Sequence, residues 1–229
     1  GVTVDRLFVA AGVYNEDLLI ENAPVHIEAT PGAVLQGSGQ RPVIEVRGHN
    51  SLGSSISGLT ITGGAGETGG VMVTNGGDLS LVNCTLSGCT GGTAGAMLVR
   101  NGSTASLVGC TIDGNDSSNG TGGLLIEGSD VLVSGCVFLN NSGREGGALM
   151  VRNQGNPTIE DSVFRLNSAQ QGGAVFLDGS SVALTRCWIS DNSASVTGGA
   201  AYARNGCTVT LDGTKVTNNS APTGGGVTL

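Results

Sequence analysis

The chain has 229 residues, among them 41 Gly, 5 Pro and only seven aromatic side chains. Charged residues make up 12%, and ten Lys/Arg against 18 Asp/Glu leave a net charge of −8. Glycine costs about 1 kcal/mol per helix position relative to Ala, which excludes a helical bundle. Collagen is excluded because the glycines have no three-residue period. Disorder is excluded because 38% of the residues are apolar and recur in short runs. There is no Lys/Arg cluster and Lys215 is the single lysine, so binding of nucleic acid through its phosphates is excluded. The acidic balance opposes an anionic membrane surface. No apolar run approaches the roughly 20 residues of a spanning helix, so direct membrane insertion is not expected.

In chain order, the sequence opens mid-pattern at Gly1-Val2-Thr3-Val4 and closes mid-pattern at Gly224-Gly225-Gly226-Val227-Thr228-Leu229. It therefore reads as a segment of a longer chain, with other domains of that chain among its partners. Residues 1–50 predict irregular first coils, with short apolar runs at Leu7-Phe8-Val9, Leu18-Leu19-Ile20, Val25-His26-Ile27, Val34-Leu35 and Val43-Ile44-Glu45-Val46.

Residues 51–229 predict regular coils continuous with these. Leu59, Cys84, Cys110, Cys136, Ser162, Cys187 and Thr214 recur at steps of 25, 26, 26, 26, 25 and 27. Two residues after each lies an apolar side chain, from Ile61 to Val216. Five residues after lie Gly64, Cys89, Asn115, Asn141, Asn167, Asn192 and Asn219. Small pairs set a second register, running through Gly69-Gly70, Ala94-Gly95, Gly122-Gly123, Gly146-Gly147, Gly172-Gly173, Gly198-Gly199 and Gly224-Gly225.

Each unit holds three strands of three to five residues with no helical period between them. This predicts an all-β, right-handed, single-stranded parallel β-helix of about nine coils, each of roughly 25–26 residues. At about 4.8 Å per coil the rod would be on the order of 43 Å long. Stacking predicts a structural ladder of Asn115, Asn141, Asn167, Asn192 and Asn219 at a turn where the left-handed conformation is tolerated.

Two stretches resemble known families. Val9-Ala10-Ala11-Gly12-Val13-Tyr14-Asn15-Glu16 resembles the opening coil of β-helix proteins such as pectin methylesterases and pectate lyases. Gly146-Gly147-Ala148-Leu149 and Gly172-Gly173-Ala174-Val175, with Phe138 to Asn141 and Phe164 to Asn167, resemble the repeats of polymorphic outer-membrane proteins. That second resemblance implies a non-catalytic, extracellular, cell-surface adhesin or rod, with host or neighbouring surface proteins or glycans as partners.

The enzymatic alternative is a polysaccharide lyase or hydrolase. Such chemistry needs acidic residues around Ca²⁺ or two carboxylates about 5–9.5 Å apart, and the sequence carries no motif for either. His26 and His49 read as surface or turn residues. No Cys-x-x-Cys spacing points to zinc, and no catalytic residue, metal or other cofactor is expected. A further alternative is a filament subunit joined through free strand edges.

Three groups of residues remain as candidates. Arg100, Glu127, Arg152, Asp178 and Arg204 stack in one column with alternating sign, which reads as a register-keeping ladder or as a polar binding strip. Cys84, Cys110, Cys136 and Cys187 share an inward column, either as small apolar thiols or as strained bridges such as Cys84–Cys110 and Cys110–Cys136. Asn101, Asn119 and Asn140 lie in Asn-x-Ser/Thr sequons within turns and would carry glycans in a eukaryotic secretory route.

Overall fold

The computed structural model describes residues 5–21, 23–51 and 53–229; the opening Gly1–Val4 stretch lies outside them. Strands of the predicted length recur three to a coil and stack only on their equivalents one coil along. The first face runs from Leu18–Ile20 through Met97–Arg100, Leu124–Glu127, Leu149–Arg152 and Val175–Asp178 to Val227–Thr228. The second runs from Asp5–Val9 to Val209–Asp212, and the third from Gly12–Asn15 to Lys215–Thr217. Each face is a nine-stranded sheet, so the solenoid makes about eight turns. Pairing is parallel and in register, as in Met97↔Leu124 and Arg100↔Glu127. The coils before residue 51 join the same ladders, beginning with Asp5↔Val25 and Gly12↔Ala33. Among the described residues the helical content is a single 3-10 turn, His49–Ser51.

Alternation along each strand builds the core. Met97 and Val99 point inward with Leu124, Ile126, Leu149 and Val151, and they meet Leu86, Ile112 and Ile189 from the third face. Phe138 and Phe164 stack coil on coil with ring centroids 4.8 Å apart and planes 9° from parallel, within the range aromatic pairs prefer.

The corner after the third strand shows how the chain turns. Gly88, Gly114, Asn140, Leu166, Asp191 and Asn218 all have φ between 53° and 63°. These residues immediately precede the ladder position, so the left-handed residue is the one before each ladder asparagine and not the asparagine itself. The ladder side chain is therefore free to point inward while its neighbour makes the bend.

The small-residue register also resolves differently from the sequence alignment. Strand pairing places Gly69, Gly95, Gly122, Gly147, Gly173 and Gly199 in one column, each two residues before its first-face strand. A Cβ at Gly173 would lie 2.3 Å from the Gly199 carbonyl oxygen and 2.6 Å from that of Ser193. Close approach of two backbones, more than φ, keeps this column glycine.

Between the third strand and that glycine the chain forms a fourth, narrower ladder. Thr90–Gly91 pairs with Asp116–Ser117, and Ser168–Gln171 with Ser193–Thr197. Isolated bridges such as Thr68↔Ala94, Ala94↔Thr121 and Ser142↔Ser168 extend it. These turns form a ledge beside the first face.

Candidate functional site

The first face carries the charged column, so its outward side is the natural place to look for chemistry. Alternation sends the second and fourth residues of each strand outward. The second residues are Met72, Leu98, Leu125, Met150 and Phe176, with Tyr202 next in line. All five are buried, Leu98, Leu125 and Phe176 completely, and they form a second apolar cluster together with Ala94 of the ledge. Ring planes of Phe176 and Tyr202 are tilted 53° at a 5.7 Å centroid distance. The solenoid thus has two cores, one inside the coil and one between the first face and the ledge. Sequence reading missed the second, although the unbroken runs Met97-Leu98-Val99 and Leu124-Leu125-Ile126 are what strands buried on both sides produce.

The fourth residues form the charged column, which borders this closed cluster. Glu127 pairs with Arg152 through a close Nε contact, and Asn153 adds a hydrogen bond to the same carboxylate oxygen. Asp178 accepts from Arg204 Nη2 at 2.7 Å and from Asn205 at 2.5 Å. Arg204 also lies 4.9 Å from the Phe176 ring centroid and 3.8 Å from Glu145 of the ledge.

Arg100 departs from the expected neighbour-to-neighbour ladder. Its guanidinium forms two hydrogen bonds, 2.5 and 3.1 Å, to Glu67 of the ledge, not to Glu127. Its Nε is buried without a partner. Every charge in the column is thus engaged by another group of the same chain.

These pairs have a pH consequence. The Arg204 guanidinium holds the Asp178 carboxyl below its ordinary value, against partial burial and with help from Asn205. Arg186 and Arg165 do the same for Asp161 and Asp191. A carboxyl whose folded pKa is lowered contributes stability above its unfolded pKa of about 3.9 and loses it as pH falls through the folded value. Thermal stability is therefore expected to hold from neutral pH to about pH 4 and to fall below it. Melting the Asp178→Asn variant over the same range should give a shallower acid decline; an unchanged slope would remove this pair from the account.

The asparagine column is continuous. Asn141 Nδ2 donates to the Ile112 carbonyl at 2.8 Å and to Asn167 Oδ1 at 3.0 Å. Its own Oδ1 accepts from Asn115 N–H and Nδ2. Asn115, Asn167, Asn192 and Asn219 repeat the scheme on Leu86, Phe138, Phe164 and Ile189. Cys89 occupies the preceding position: its backbone N–H donates to Asn115 Oδ1, and its thiol points at the Ile61 carbonyl at 3.9 Å in place of an amide.

All six cysteines are free thiols. Cys84, Cys110, Cys136 and Cys187 are buried, and each thiol points at a carbonyl of the preceding coil: Ile56, Leu81, Leu107 and Ile159. Burial pushes Cys187 above the usual thiol value. Cys110 is pushed up to about 11, chiefly by its hydrogen bond with Cys136 and further by burial. Cys207 stands apart, with its thiol toward the Arg204 carbonyl.

Of the sequon asparagines, Asn101 donates to Thr74 and Asn75, and Asn140 donates to Asp113 at 3.0 Å. Asn119 is exposed; its side chain donates to its neighbour Ser118 and its backbone N–H to the Gly92 carbonyl. His26 Nδ1 lies 2.6 Å from Ser55 Oγ, and the exposed His49 ring covers Gly76. Among the described residues no three His, Cys, Asp or Glu side chains are grouped to hold a metal ion, and no helix is long and apolar enough to cross a membrane.

Three in-register parallel sheets with an internal asparagine ladder define a parallel β-solenoid. The chain belongs to the family described as the right handed beta helix region, which matches residues 69–229. No curated protein matches it. Its structure is similar to that of an alginate lyase from Paenibacillus sp. str. FPU-7, at 16% identity and a TM-score of 0.47, over 98% of this chain and 92% of that one.

Proposed function

We propose that this chain is a non-catalytic, extracellular β-helix module, a rod that spaces or presents other parts of a surface protein. One observation carries the reading. Arg100, Glu127, Arg152, Asp178 and Arg204, the charges best placed to act on a substrate, are taken up by Glu67, by one another and by Glu145. The apolar row beside them is closed by the ledge. Interlocked columns of this kind favour stiffness along the solenoid axis. The Gly-Gly-Ala and Phe-x-x-Asn signatures, similar to polymorphic outer-membrane-protein repeats, agree with an adhesin-like setting.

The test pairs two measurements. Antibody against the chain should label the surface of intact cells of its source. Incubation with acidic and neutral polysaccharides should release neither reducing ends nor the ultraviolet-absorbing unsaturated ends of a lyase product. Turnover that disappears in Arg152→Ala would replace the rod with an enzyme.

A further inference from the structure

Four Asn-Gly pairs occur in the chain, at Asn75-Gly76, Asn101-Gly102, Asn119-Gly120 and Asn205-Gly206. Each is a chemical weak point, because glycine places no Cβ beside its amide nitrogen and leaves it open to attack the preceding side-chain amide. Three of the pairs lie at the corner where the chain leaves the first face, and Asn75, Asn101 and Asn205 there have φ of 55°, 58° and 62°. In sequence the four are nearly alike. The fold separates them.

At Asn101 and Asn119 the attacking group is occupied. Gly102 N–H donates to the Gly128 carbonyl at 3.1 Å, and Gly120 N–H to Ser117 Oγ at 3.0 Å. At Asn205 the side-chain amide is itself held by Asp178 at 2.5 Å. Gly76 N–H, by contrast, has no acceptor among the described residues. Asn75 Oδ1 accepts from Asn101 Nδ2 at 3.2 Å and from the Thr74 hydroxyl at 3.4 Å. Both donors polarise the Asn75 amide and stand where charge develops on its oxygen during attack. The His49 ring lies against Gly76, and a Cβ built there would sit 2.6 and 2.8 Å from its two nitrogens. An imidazole so close is placed to take the amide proton. The other histidine, His26, is bonded to Ser55.

We propose that Asn75-Gly76 is a self-modifying site, at which the folded chain converts its own asparagine to an aspartyl or isoaspartyl residue. Gly76 N passes its proton to His49 and bonds the Asn75 side-chain carbon. The Cγ–Nδ2 bond breaks, and the nitrogen leaves as ammonia with the proton that His49 returns. Water then opens the succinimide ring. Opening at the side-chain carbonyl gives an aspartate; opening at the backbone carbonyl gives an isoaspartate, whose main chain runs through the former side chain. Either product carries a new carboxylate beside Thr74, the uncharged rung that follows Arg47 and precedes Arg100. The alternation of the charged column then continues one coil further. The site goes beyond the rod reading and is independent of it, because its failure would leave both the surface labelling and the absence of turnover unchanged.

The four pairs can be compared within one sample. The folded chain is incubated at neutral pH and digested at intervals, and each Asn-Gly peptide is scored by mass spectrometry for exchange of its amide for a carboxyl. Conversion at Asn75 is expected to run at least about tenfold faster than at Asn101, where a hydrogen bond must first be given up. Incubation in guanidinium chloride should bring the rates together, since unfolding removes the contacts that set Asn75 apart. His49→Gln, checked for folding by circular dichroism, should slow Asn75 by about 10²-fold, the lower end of what a positioned general base contributes. The same substitution should leave Asn101 and Asn119 unchanged. Equal rates at Asn75 and Asn101 in the folded chain, a ranking that survives unfolding, or an unchanged Asn75 rate in His49→Gln would each overturn the proposal.

Discussion

Replacing Asn141 with alanine is expected to destabilise the solenoid by about 4 kcal/mol, measured by urea unfolding. The loss is large because one side chain serves several buried groups. Without it, the Asn115 backbone N–H loses its acceptor and the Ile112 carbonyl loses its side-chain donor. Asn115 Nδ2 and Asn167 Oδ1 each lose a partner as well. Each buried polar group left unpaired costs roughly 1–3 kcal/mol, and water cannot reach this column to replace the bond. The adjacent Asn140 is the control. It is exposed and sits at φ 53°, a geometry glycine adopts without strain, so Asn140→Gly should shift stability by no more than about 0.5 kcal/mol. A cost below about 1 kcal/mol for Asn141→Ala would mean that the ladder is decorative.

Gly173→Ala is expected to cost more than about 3 kcal/mol or to prevent folding. The added methyl would lie 2.3 Å from one carbonyl oxygen and 2.6 Å from another. Both belong to backbone that is itself paired, so neither can move without opening a coil. Gly179→Ala tests whether this is a matter of space or of conformation. Gly179 has φ 60°, and a methyl added there would meet nothing within 4 Å, so it should cost only about 1–2 kcal/mol from the strained backbone. If the two substitutions cost the same, crowding is not what keeps the Gly173 column glycine.

Much of this architecture was legible as spacing. The 26-residue step from Cys84 to Cys110 matches a coil because strands pair without register shift, as in Thr85↔Thr111. The inward column of Asn115, Asn141 and Asn167 followed from the same step. What spacing could not supply was the depth of the ledge. Leu98 and Phe176 occupy outward positions, where a single-layered coil would expose them, yet they are fully buried. The turns that cover them read as short, small and polar.

The same blind spot hid the partner of Arg100. Glu67 lies 33 residues away, which is not a whole coil, so no periodic alignment brings the two together. Trp188 and Lys215, neighbours across the third face, each occur once in the chain. A reading built on repetition passes over what does not repeat.

The asparagine column also has a sense of direction. At every step the backbone N–H of one coil donates to the side chain of the next, from Cys89 to Asn115 and onward to Asn219. Neighbouring coils are coupled through their shared interfaces, and here the polar part of each interface is directional. A lost asparagine orphans a backbone group in the coil before it, while the coil after it keeps its own backbone bonds. Damage should therefore spread toward the N-terminal side of a defect, and amide exchange should quicken there first.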